Sequence, residues 1–179
     1  CRSLLTPEVL GELIAGEMSD AAAYRLLSRQ LPGRAGAVLR SIAREETNHA
    51  ACLKGIYTLI TGRRPDIQVP PPEPKRPEIA LRQCYGREMR CLAAYEARSG
   101  NPEYGPAFTR MARQEQYIRQ ITSQLDAKVQ QDQNFVLTAY DALEPYLYTN
   151  IPRGQLANEA WAAKDYERMD TIKPEGTYQ

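Results

Sequence analysis

Four glutamates and the chain's single histidine stand where apolar side chains are expected. Glu17 lies among Leu10, Leu13, Ile14, Ala21 and Tyr24 at helical spacing. Leu39, Ile42, Leu53 and Ile56 surround Glu46 and His49, and Leu81, Cys84, Leu92 and Tyr95 surround Glu88. Phe108, Met111, Ile118 and Leu125 do the same for Glu115. An apolar helical stripe faces a core, so these carboxylates must be buried with it. Desolvating a carboxylate costs several kcal/mol unless an opposite charge or a proton accompanies it. Arg44, Arg90 and Arg113 fall off the stripes and face solvent, so no stripe cation offsets four acids. Metal ions answer the charge most directly, and glutamate oxygens with one imidazole suit iron or manganese.

Four amphipathic segments must position these residues. The first opens at Thr6-Pro7-Glu8, a cap residue with proline at the first helical position, and runs over about 7–30. Leu31-Pro32-Gly33 breaks it, and a second helix follows over about 34–61, with Gly62 as its stop. The stretch 62–76 is too rich in proline to be helical and reads as an extended connection. A third helix is expected over 77–99 and a fourth over 106–130, separated by a turn. Connections that run short, long, short make two antiparallel hairpins joined by a crossover along the bundle. Residues 131–179 form a tyrosine-rich C-terminal extension with short helices, one of them expected near Leu156 to Met169.

The chain also repeats itself. EMSDAAAY, Glu17 to Tyr24, matches EMRCLAAY, Glu88 to Tyr95, and RSIAREETNHA, Arg40 to Ala50, matches TRMARQEQYIR, Thr109 to Arg119. The offsets are 71 and 69 residues, so one hairpin occurs twice with a two-residue difference in its loop. Two such hairpins imply a pseudo-twofold axis on which corresponding glutamates meet.

With these residues in hand, the chain resembles the ferritin-like superfamily, and rubrerythrins within it. The family pattern is a glutamate from each of two helices and Glu-x-x-His from the other two. Glu17, Glu46-x-x-His49, Glu88 and Glu115 match it over roughly residues 6–130. The resemblance implies an all-α, up-down four-helix bundle holding two iron ions, or manganese. Glu46 and Glu115 would bridge the pair, and Glu17 and Glu88 would bind terminally. It also implies that Tyr24 and Tyr95, two turns beyond Glu17 and Glu88, hydrogen-bond ligand carboxylates. The fourth helix departs from the pattern, because Glu115-x-x-Ile118 lacks the second histidine. Tyr85 stands where rubrerythrins tend to carry an additional glutamate. Weak occupancy of the second metal position is therefore expected.

Peroxide, oxygen or Fe(II) is the substrate class that the resemblance implies. Cys1, Cys52, Cys84 and Cys91 contain no CxxC pair, so these residues supply no rubredoxin-type iron site and an external electron donor is expected. Cys52, Cys84 and Cys91 read as core packing and as free thiols in a reducing cytoplasm. A net charge of +1 gives no nucleic-acid footprint, and no apolar run is long enough for a membrane span. A homodimer is the expected assembly, since dimers are common in this fold. The alternative to an oxidoreductase is a storage or structural protein of the same fold whose metal site has decayed.

Overall fold

The computed structural model describes residues 5–31 and 33–131; the C-terminal extension and Cys1 lie outside the described residues. Among the described residues there are four helices: α1 (Pro7–Gln30), α2 (Arg34–Thr61), α3 (Pro77–Glu96) and α4 (Gly105–Gln131). Local chemistry sets their ends. Thr6 is extended, and its Oγ1 accepts the Val9 N–H at 3.2 Å while Pro7 fills the first helical position. Gly62 ends α2 in the left-handed region at φ 70°, its N–H returning to the Thr58 carbonyl at 2.8 Å. The third helix stops at Glu96, three residues before the sequence-based end at 99, because the chain tightens there. Arg98 and Ser99 donate to the carbonyls of Tyr95 and Glu96, three residues back, and end the α-helical ladder. Asn101 Oδ1 then accepts the N–H groups of Glu103 and Tyr104 and starts the turn into α4.

Helices α1 and α2 form one closely packed hairpin and α3 and α4 the other, with α1 against α3 and α2 against α4 across the bundle. Gly36 permits the first hairpin's tight approach. A Cβ there would stand 2.6 Å from the Leu31 carbonyl oxygen and 2.7 Å from that of Ser28. The proline-rich crossover runs beside α1 for its whole length. Ile67 lies beside Gly11 near the start of α1, and Gln30 at its end donates to the Lys75 carbonyl at 3.1 Å. Delivered to that end, α3 runs antiparallel to α1 and parallel to α2.

The core has two apolar clusters. One gathers Tyr24, Leu27, Leu39, Ile42, Leu81, Ile118, Ile121 and Leu125, among others. The other gathers Leu10, Ile14, Leu53, Ile56, Tyr95, Phe108, Met111 and Ala112. A polar layer lies between them, at the level of the four glutamates. No described helix is long and apolar enough to cross a membrane.

Candidate metal centre

All five predicted residues are buried in this layer: Glu17, Glu46, Glu88 and Glu115 at 0 % exposure and His49 at 2 %. Each arrives by the same route, as one polar position within the apolar stripe of its helix. The imidazole of His49 is the hub. Its Nδ1 lies 2.8 Å from Glu115 Oε1, 3.5 Å from Glu46 Oε2 and 3.7 Å from Glu17 Oε1. One donor atom from each of Glu17, Glu46, His49 and Glu115 falls within 4.8 Å of the others. Donors around a single first-row ion, at bonds of about 2.1 Å, stand about 3–4.3 Å apart, so a small contraction would close this set on one ion. Glu88 stands outside that quartet and joins it through Glu115, whose carboxyl is close enough to share a proton with it. Glu17 and Glu46 make the corresponding pair in the first hairpin.

The tyrosines cross between halves. Tyr24 of α1 donates to Glu88 Oε1 of α3 at 2.7 Å, and Tyr95 of α3 donates to Glu17 Oε1 of α1. Each therefore serves the glutamate of the other hairpin rather than the one on its own helix. The two crossed bonds join equivalent positions of the two matching sequence segments.

Without a metal ion the layer can balance its charge only by taking up protons. Burial pushes Glu46, Glu88 and Glu115 above the usual carboxylate range, and the neighbouring carboxylates push Glu46 and Glu115 further. Burial also acts on Glu17, but the adjacent Glu46 carboxyl and the charge of His49 outweigh it and hold Glu17 low. Burial disfavours the His49 imidazolium, yet Glu17 and Glu46 raise its pKa well above the ordinary value. In this layer seven buried atoms lack a hydrogen-bond partner: Glu17 Oε2, both oxygens of Glu46, His49 Nδ1, Glu88 Oε2 and both oxygens of Glu115. The 2.8 Å approach of Nδ1 to Glu115 is too far out of line to be a hydrogen bond. Buried polar atoms are almost always satisfied, so seven orphans converging on one place fit a metal ion. The group can hold one.

Three features escaped the sequence reading. Gln114 places its Oε1 2.7 Å from His49 Nε2, which donates to it, so Nδ1 is the nitrogen that faces the carboxylates. Thr122 lies 2.9 Å from the Tyr24 hydroxyl. Because the Tyr24 proton is committed to Glu88, the threonine donates there. The third is Asp20, buried at 1 % exposure beside the centre and paired with Arg87. Burial raises Asp20 to about 7; the Arg87 charge opposes this and that of Glu88 adds to it. Arg87 also reaches Cys84 Sγ at 3.1 Å, and the two line a groove of about 330 Å³ between α1, α3 and Pro70–Lys75 of the crossover. Cys84 is a buried member of an apolar cluster, as its spacing predicted, while Cys52 and Cys91 are half-buried against the other cluster.

No known protein family matches the chain, and neither a curated protein nor a solved structure shows significant similarity to it.

Proposed function

We propose that this chain is a rubrerythrin-like metalloprotein whose centre reduces peroxide or oxygen, or oxidises Fe(II), with two iron ions as its cofactor and manganese as the substitute. The observation that carries this reading is the set of seven orphaned atoms from five residues converging between two apolar clusters. Glu17, Glu46, His49 and Glu115 would hold one ion, and Glu88 with the shared carboxylates the other. Two adjacent redox ions supply one electron each to an O–O bond, or pass them from Fe(II) to oxygen.

The remaining roles fall to the protein. Gln114 keeps Nδ1 of His49 directed inward. Tyr95 and Tyr24 each tie one oxygen of Glu17 and Glu88 and fix the rotamers of these side chains. The apolar clusters exclude bulk water from both sides. Arg87, which precedes Glu88, lines the groove with Cys84 and pairs with buried Asp20, so the groove would offer a small reductant or peroxide a place beside this part of α3.

Elemental analysis after reconstitution with Fe(II), followed by peroxide turnover, tests the reading. About two ions per chain with peroxide-dependent oxidation of an added reductant is expected, as for a di-metal carboxylate bundle. No retained metal would overturn it. A storage or structural protein with a decayed site is the second reading. Ile118 favours it: it is buried at 3 % within an apolar cluster, at the repeat position of His49. Bound metal without turnover would select it.

A further inference from the structure

The two halves of the centre offer different donors. On one side, His49 Nδ1 joins oxygens of Glu17, Glu46 and Glu115, giving one nitrogen among carboxylates. On the other, Glu88 offers only its buried, unpartnered Oε2, since Oε1 is tied to Tyr24. Tyr24 is in turn held by Thr122, so Glu88 cannot swing away without breaking a buried hydrogen bond to a fixed donor. Its carboxylate neighbour is Glu115, both of whose oxygens are unpartnered, and the repeat's nitrogen position is filled by Ile118. Every donor on this side is oxygen.

This difference has a consequence for which ions bind. An imidazole strengthens the preference for later first-row ions, whereas carboxylate-only positions discriminate weakly and suit hard ions. Resting on the metal-binding reading above, we propose that the two positions select different ions. The His49 position takes a nitrogen-preferring ion and the Glu88 position a hard, oxygen-preferring one such as Mn²⁺, so the loaded protein is heterometallic. Glu115 touches both His49 and Glu88 and is the residue common to both positions.

Competition dialysis tests this without any activity assay. Metal-free protein is equilibrated with Co²⁺ and a tenfold excess of Mn²⁺, and its metal content is then measured. Manganese resonance and cobalt absorption report the two environments. About one cobalt and about one manganese per chain are expected from the preference order. In Ile118→His the composition should move toward two cobalt ions. Glu88→Gln, close in size to the native residue, should lose the manganese and keep the cobalt, which covers a failure of Ile118→His to fold. Two cobalt ions in the wild-type chain, cobalt alone, or a composition unmoved by these variants would overturn the proposal. Retention of no metal at all is a separate result, and it defeats the metalloprotein reading itself.

Discussion

The α1–α2 and α3–α4 hairpins carry the same register of glutamate and tyrosine, yet they differ at two places that matter. Where the first has His49, the second has Ile118; where the first has Glu45, the second has Gln114. In the structure His49 turns its outer nitrogen to Gln114, a residue of the opposite hairpin. The tyrosines cross in the same way. Neither hairpin therefore builds a half-site alone, and each orients the other's ligands. One half carries the imidazole; the other carries the amide that orients it and has apolar Ile118 at the imidazole's repeat position.

Removing a carboxylate from the intact half should have the largest effect. Both oxygens of Glu46 are buried and unpartnered. Glu46→Leu should abolish metal retention while stabilising the metal-free protein by about 1–3 kcal/mol, the cost of a buried unsatisfied group. Denaturant unfolding with parallel metal analysis checks both signs, and a destabilised metal-free variant would contradict the strain ascribed to this layer. Next in size, Glu17→Gln should remove the more tightly held ion, whereas loss at Glu88 spares it. Calorimetric metal titration of the two variants side by side would show the halves to be equal if both lost the same binding step.

Acidity should act more gently and on both halves. Glu46, Glu88 and Glu115 have raised native pKa values, so above the ordinary 4.5 the metal-free native state binds more protons than the unfolded chain. Stability of the metal-free protein should therefore fall as pH rises from that value. The raised pKa of His49 adds to the trend, giving a contribution present below 6.5 and lost as pH climbs through the native value. Glu17, held low, opposes it alone within the centre. Metal binding expels these protons, so affinity should rise with pH. Thermal melts from pH 5 to 9, with and without metal, should diverge. The smallest expected effect is that of the crossed tyrosines. Tyr95→Phe and Tyr24→Phe should each cost about 1 kcal/mol of stability. The first should weaken the His49 position and the second the Glu88 position.

Helix spacing alone revealed the bundle, the long crossover and five of the buried polar positions, because one stripe per helix determines what faces the core. Gln114, Thr122 and the Asp20–Arg87 pair were not legible in the same way. Gln114 and Thr122 act across helices, and which residue they meet depends on the rotation and offset of neighbouring helices, which no periodicity encodes. Arg87 precedes Glu88 and, read along its own helix, looks like a solvent-facing cation; it reaches Asp20 only because α1 and α3 lie side by side. The end of α3 was misjudged by three residues because Ala97–Ser99 continue as tight turns that sequence propensity does not distinguish from helix.

The polar layer also bears on how the bundle comes apart. It divides the interior into two apolar bodies that share little packing, one around Leu39 and Ile121 and the other around Leu53 and Phe108. Without metal, the unpartnered polar atoms of this layer interrupt the packing between these bodies, and each can open with its own free energy. A bound ion makes the four helices a single cooperative unit. Amide exchange in the two bodies should then proceed at different rates in metal-free protein and converge on one rate once the centre is filled.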